Sequence, residues 1–192
     1  KVIQNHSMPS NDRPAMKKEE HNPWIDENWL TIGKASFYRR DYDAALKNFR
    51  FIKKFYKNDP TLYVAELWIA KTNIELKNYT DAGFNLENLD KAIEEEKALK
   101  EANKGVSKFK SKKGDIEDKP AKFPKKIKFD LAKTKANLAL KNNNKEDAIK
   151  FLKESLEFAK KRTDKARINF ILGQLLEATG NREEAKYHYS KV

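Results

Sequence analysis

The sequence contains an internal repeat, and this repeat restricts the possible folds more than any other feature. Four alanines recur at spacings of 37, 66 and 37 residues, at Ala45, Ala82, Ala148 and Ala185. Twelve residues before each alanine stands a small residue: Gly33, Ala70, Ala136 or Gly173. Four residues before it stands Asp41, Asn78, Asn144 or Asn181, and four residues after it stands Phe49, Leu86, Leu152 or Tyr189. This agreement predicts four copies of one structural unit.

Each copy is predicted to form two helices, A and B. The Asp or Asn is a typical N-cap of helix B, and in three copies an acidic residue follows three positions later, where the helix dipole favours negative charge. The small residue on helix A and the alanine on helix B allow the two helices to approach closely, and the large residue one turn later fills the core. Helices are expected near 26–39, 42–57, 61–77, 79–101, 127–142, 145–161, 164–179 and 182–192.

The pattern resembles the tetratricopeptide repeat (TPR). Copy one carries it in Trp29, Ile32, Gly33, Tyr42, Ala45, Phe49 and Pro60, and copy four in Leu172, Gly173, Gly180, Ala185 and Tyr189. The middle copies depart from it, because Glu66 and Ala132 replace the first aromatic residue and Lys135 replaces an apolar residue. The resemblance implies an all-α, TPR-type solenoid of about four helix pairs. The solenoid is expected to span 23–192, with repeats at 24–60, 61–102, 127–162 and 163–192. Residues 1–22 are expected to contain the end of an upstream helix and a loop.

An insertion separates the second and third copies, since their spacing exceeds 37 by 29 residues (66 − 37 = 29). It lies at about 103–126, where two Gly and two Pro break helices and lysines favour solvent. Two interpretations remain open: a mobile surface loop, or a basic loop that docks on an acidic partner or an anionic surface. The lysines of the second interpretation are Lys104, Lys108, Lys110, Lys112, Lys113, Lys122 and Lys125, with Phe109, Phe123 and Ile127 as apolar anchors.

Composition argues against several classes of function. The net charge is +12, but ten lysines and three acidic residues between Lys104 and Lys128 account for +7 of it, and the chain has only seven arginines, the residue best suited to read bases. There is no Cys, no pair of histidines at metal-ligand spacing, no glycine-rich phosphate loop and no 18-residue apolar run. We therefore expect no enzyme, no metal and no cofactor, and the composition argues against nucleic-acid binding.

The helix A positions that face the concave groove of a TPR solenoid are the candidate binding residues. One such position holds Lys34, Lys71, Asn137 and Gln174, and neighbouring positions supply Phe37, Tyr38, Trp68, Lys133 and Arg167, together with Leu30, Leu67 and Phe170. Polar groups beside aromatic residues suit an extended peptide or a partner helix. The alternative is that Phe37, Leu67 and Phe170 only pack between helices.

Three stretches also resemble a narrower family. "NPWIDENWLTIGKASFYRRDYDAALKNF", "AELWIAKTNIELKNY" and "KARINFILGQLLEATGNREEAKYHYSKV" are similar to the TPR region of the SprE/PorW-type lipoproteins of Bacteroidota. That resemblance implies a non-catalytic accessory component of gliding motility and type IX secretion. It also implies a lipid anchor upstream of this sequence, a position on the periplasmic side of the outer membrane, and protein partners from the cell envelope. The alternatives are a general TPR peptide-binding adaptor, which could be cytoplasmic, and an anionic-surface binder that uses the Lys-rich loop.

Overall fold

The computed structural model describes residues 25–57, 59–104, 123–124 and 126–192. Within these ranges the chain forms eight helices and no strand, numbered here in chain order: α1 (Ile25–Tyr38), α2 (Tyr42–Phe55), α3 (Thr61–Glu75), α4 (Tyr79–Lys104), α5 (Ile127–Lys141), α6 (Lys145–Phe158), α7 (Arg162–Ala178) and α8 (Arg182–Tyr189). Each A helix packs against the B helix that follows it, and each pair packs against the next. The predicted all-α solenoid of four TPR-type helix pairs is confirmed.

The repeated small and large residues meet inside each pair. A Cβ added at Gly33 would lie 2.4 Å from Cε1 of Phe49, and one added at Gly173 would lie 2.5 Å from Cε1 of Tyr189. In the second and third pairs the small residue is alanine and the large residue is leucine, and each alanine lies in the same core cluster as its leucine. Glycine therefore occurs opposite an aromatic ring, and alanine occurs opposite leucine. The small residue of helix A and the large residue of helix B fill the same space between the helices, so a larger one requires a smaller partner.

The turns inside the four pairs have the same backbone geometry. The residue before each predicted cap has a positive φ: 63° at Arg40, 63° at Lys77, 57° at Asn143 and 85° at Gly180. The cap residue then donates its N–H to the carbonyl five residues earlier, for example Asp41 to Ser36 at 2.9 Å. The other three are Asn78 to Asn73, Asn144 to Ala139 and Asn181 to Leu176. This is the Schellman ending of a helix, and it appears four times although only one copy has the glycine that favours it.

The side chains of the predicted caps do not all make the capping bond. Asp41 accepts a hydrogen bond from the N–H of Ala44 at 3.2 Å, and Asn144 accepts one from the N–H of Asp147 at 3.0 Å. Asn181 makes no such bond, and its helix α8 is the short one of eight residues. The Asp/Asn position thus marks the turn in every copy but caps the next helix through its side chain in only some of them.

Three core clusters run along the solenoid, and two A helices are shared between them. The first cluster joins α1 and α2 to α3, the second joins α3 and α4 to α5, and the third joins α5 to α6, α7 and α8. Helix α3 contributes Ala65 and Ile69 to the first cluster and Leu67 and Ala70 to the second. The shared helices connect the pairs into one continuous core.

Charged side chains that interrupt the repeat pattern are paired across the contacts between neighbouring helix pairs. Glu66 of α3 lies 3.2 Å from Nζ of Lys53 on α2. Lys135 of α5 forms an ion pair with Asp90 of α4, and its side chain is 14% exposed. A half-buried lysine is tolerated in an apolar position when a carboxylate compensates its charge.

The predicted and observed helices agree to within three residues at every end. The interpretation of 1–22 lies outside the described residues. So does most of the insertion, although both of its edges are described. At one edge, Phe123 packs on Tyr63 with ring centroids 3.9 Å apart, and Ile127 is buried in the second cluster. These two residues, predicted as anchors for a partner, instead hold the end of the insertion against the solenoid.

Candidate functional site

The A helices α1, α3 and α5 pack side by side. Side chains at equivalent positions of these helices therefore lie next to one another on one face, which is the concave side of a solenoid of this type. The residues predicted to line a groove come together here in α1 and α3, with a contribution from α5. We call this surface the A-helix face.

Trp68 is the centre of an aromatic cluster on the A-helix face. The ring of Phe37 meets it edge to face at a centroid distance of 5.1 Å, and the ring of Tyr38 does so at 5.8 Å. Behind Trp68, the buried ring of Phe49 stacks on it at 6.0 Å. Tyr38 is 74% exposed, whereas Phe37 and Trp68 are half-buried. The cluster thus offers solvent a fixed aromatic surface that is supported from beneath by the core.

Two lysines lie over the same indole ring. Nζ of Lys71 is 4.5 Å from the Trp68 ring centroid and Nζ of Lys34 is 5.7 Å from it, both within the range of cation–π attraction. Burial lowers the pKa of Lys71, while Asp130 acts to raise it and Lys133 and Lys34 act to lower it further. Burial likewise lowers the pKa of Lys34, with Asp130 opposing. The two amines are partly desolvated and repel each other. An added anion would stabilise both positive charges and offset the repulsion between them.

The cationic surface continues into a pocket between α5 and the loop that joins α6 to α7. The pocket encloses about 260 Å³ between the rings of Phe129 and Phe158. Its charged lining residues are Lys126, Lys133, Lys160 and Lys161 against Asp130 and Asp164. Lys133 and Asp130 are the two residues whose charges also act on Lys71, so the pocket and the Trp68 cluster form one electrostatic surface.

The remaining predicted site residues lie apart from this cluster. Asn137, Arg167 and Gln174 are exposed, on α5 and α7, and none of them is among the described residues that meet the Trp68 ring in an aromatic or cation–π contact. Leu30 was expected to line the groove but is 8% exposed and belongs to the core. Leu67 is 2% exposed, which agrees with the alternative that it packs between helices. Phe170 is 46% exposed on α7. Of the predicted basic loop, only the backbone of Lys104 lies within the described residues.

Sequence reasoning missed the second half of the cationic surface. Phe158, Lys160 and Lys161 stand at the end of a B helix and in the loop after it, where the repeat pattern gives no reason to expect a binding residue. The signal available in the sequence was the concentration of lysines at the start of α5 and after α6. Only the packing of α5 against this loop shows that they border one pocket.

No grouping of three or more acidic, His or Cys side chains suitable for a metal ion occurs among the described residues. The described helices also include none that is both long and apolar enough to cross a membrane. The described surface offers aromatic rings, lysine amines and concave apolar space.

No protein-family model matches the sequence, and no curated protein matches it. Thirteen chains of solved structures match it. One is the crystal structure of MamA protein, which is 17% identical over 88% of this chain and 91% of the other, with a TM-score of 0.34. A likeness of this size carries no argument, so the solenoid fold rests on the helix packing described above.

Proposed function

We propose that this protein is a non-catalytic interaction module that binds an acidic segment of a partner protein on its A-helix face. The observation that carries the proposal is the pair of desolvated lysines over Trp68, beside a pocket whose charged lining is four lysines and two aspartates. A partner carboxylate placed there would gain charge-assisted hydrogen bonds from the amines of Lys34 and Lys71, which form no ion pair with a carboxylate among the described residues. Apolar side chains of the same segment would pack on Tyr38 and Phe37.

The finer proposal concerns the machine in which the module works. On the similarity of the three stretches quoted above, we propose an accessory component of type IX secretion and gliding motility, held by an upstream lipid anchor on the periplasmic side of the outer membrane. The competing proposal is a general peptide-binding adaptor in another compartment. The two differ in the partners that they predict: secretion and motility proteins of the envelope in the first, and unrelated proteins in the second.

The test is affinity purification from the source organism with a double variant, Lys34→Ala with Tyr38→Ala. Tyr38 is exposed, so its loss removes contact surface with little cost in stability. The chain offers a matched control in Tyr187→Ala with Lys191→Ala, because Tyr187 is 58% exposed on α8 and the amine of Lys191 lies 5.1 Å from its ring. Partners recovered with the wild type and the control should be lost or strongly reduced with the Lys34/Tyr38 variant.

Undiminished recovery with the Lys34/Tyr38 variant would overturn binding on the A-helix face. The identity of the recovered proteins decides the finer proposal separately. Envelope secretion or motility proteins that are lost with this variant support it, and a set of partners without any such protein contradicts it. Circular dichroism at 25 °C should give the same spectrum for all three proteins, so that a lost partner reports the surface and not the fold.

A further inference from the structure

A second concave site lies between the second and third helix pairs, away from the A-helix face. It encloses about 310 Å³ between α4, α5 and α6. Leu86 of α4, Leu138 and Ala139 of α5, and Phe151 of α6 form its apolar lining. This volume lies at the lower end of the range for ligand pockets and can hold one large side chain.

The pocket exists because two residues depart from the repeat. Gly83 occupies the position directly after the repeated alanine, where the first and third copies have Leu46 and Ile149. Lys135 occupies the position directly before the repeated small residue, where the other copies have an isoleucine or a leucine. The fourth copy has Lys186 at the position of Gly83, with its side chain exposed. The missing aliphatic side chain at Gly83, and the ion pair of Lys135 with Asp90, leave open a space beside α4 and α5.

Nothing in the described structure requires glycine at position 83. The residue lies in the first turns of the 26-residue helix α4 and does not have a positive φ. A Cβ there would meet only Cδ2 of Leu138, at an ordinary distance of 3.8 Å. Glycine inside a helix is less favourable than alanine. The chain therefore has a less favourable helix residue at a lining position where a larger side chain would reduce this pocket.

The charged residues that border the pocket give it an acidic character. Three carboxylates line it, those of Glu87, Asp90 and Asp147, against the single amine of Lys135. That amine is already paired with Asp90. Glu87 is likewise paired, with Lys91 of the same helix at 2.7 Å. The lining carries a net charge of −2 (three negative, one positive), or −1 when Lys91 is included, opposite in sign to the surface around Trp68.

We infer that this pocket binds an aromatic side chain of a partner protein that is flanked by lysine or arginine. The ring would occupy the apolar space left by Gly83, and the flanking cations would lie near Glu87 and Asp147. The site is independent of the A-helix face and has the opposite charge preference. A module with two such surfaces can hold an acidic segment on one side and a basic segment on the other, which is what linking two partners requires.

The inference is tested by NMR titration of the ¹⁵N-labelled protein with two blocked tripeptides of equal size, acetyl-Lys-Phe-Lys-amide and acetyl-Glu-Phe-Glu-amide. The Lys peptide should shift the amide signals of Gly83, Leu138 and Asp147 at millimolar concentration, and the Glu peptide should shift them at least about fivefold less. Gly83→Leu should weaken binding of the Lys peptide at least about tenfold, because leucine occupies the space as it does in copy one.

The matched control is Phe84→Leu, at the next residue of the same helix, where the native ring is 64% exposed. It should leave binding of the Lys peptide unchanged. Glu87→Lys provides a second variant that keeps the apolar lining, reverses one charge at the pocket and removes the ion pair with Lys91. It should weaken binding of the Lys peptide and strengthen binding of the Glu peptide. The absence of pocket shifts with the Lys peptide, equal binding of both peptides, or unchanged binding by Gly83→Leu would each overturn the inference.

Discussion

Replacing Gly33 by alanine tests whether the repeated small and large residues determine how closely the helices pack. The new Cβ would lie 2.4 Å from Cε1 of Phe49. An ordinary carbon–carbon contact needs about 3.4 Å or more, so the ring would have to retreat by about 1 Å. Phe49 is fully buried and stacks against Trp68, and it therefore has no free space to enter.

The expected magnitude follows from two opposing effects. Alanine gains about 1 kcal/mol over glycine in a helix. Overpacking of a well-filled core costs about 1 to 3 kcal/mol. We expect Gly33→Ala to lower the free energy of unfolding by about 1 kcal/mol, up to about 2. The control is Gly83→Ala, whose Cβ meets nothing closer than 3.8 Å, so that only the favourable helix effect remains and stability rises by roughly 0.5 to 1 kcal/mol.

The double variant Gly33→Ala with Phe49→Leu recreates the alanine–leucine combination of the second and third pairs. Phe49→Leu alone should cost about 1 to 2 kcal/mol, because the cavity it leaves is only partly refilled. In the double variant the added methyl group enters that cavity, and the two substitutions should couple favourably by about 1 to 3 kcal/mol. Urea denaturation followed by circular dichroism measures all four free energies. A stabilising Gly33→Ala, or additive effects in the double variant, would refute the reasoning.

Two further predictions concern the turns and the last helix pair. Lys77→Gly should raise the free energy of unfolding by about 0.5 to 1 kcal/mol, and Gly180→Ala should lower it by about 1 kcal/mol. The reason is that both positions have a positive φ, which only glycine adopts without strain. Unchanged urea midpoints would contradict this. His188, which is buried and has Nδ1 2.8 Å from Oδ1 of Asn169, has its pKa lowered by burial from 6.5, against a raising effect of Glu184. Because the unfolded chain binds that proton more readily, the stability contributed by neutral His188 is present above about pH 6.5 and is lost as the pH falls through the lower folded value. Thermal denaturation between pH 7.5 and 5 should show this loss, and His188→Gln should reduce it; an equal pH dependence in both proteins would exclude His188 as its source.

Helix positions and turns were accessible from the sequence because both depend on neighbours in the chain. Asp41 and Asn144 predict the start of α2 and α6 through local capping chemistry, and the structure places the helices within three residues of the prediction. The register of the repeat also placed Lys34, Trp68 and Lys71 on one face. These predictions need only the period of the repeat and the geometry of a helix.

The errors and omissions concern contacts between residues distant in sequence. Leu30 has a groove-facing position in the repeat register, but it is buried in the first core cluster. The register alone does not show which groove-facing positions a neighbouring helix covers. Lys135 was recognised as a departure from the pattern, yet its partner Asp90 is 45 residues away. The pocket beside it results from two departures in different copies, which become one feature only when α4 and α5 pack together.

The position of α3 between two cores has a consequence for the dynamics of the chain. Its buried residues lie on several sides of the helix and include Thr72, fully buried, and Asn73, 3% exposed. Opening its backbone to solvent requires both the first and the second cluster to separate, whereas α8 at the end of the described chain belongs to one cluster only. In amide hydrogen exchange, α3 should therefore be among the slowest segments and α8 among the fastest. The helix that presents Trp68 is therefore expected to open later than α8, so the binding surface persists when α8 opens.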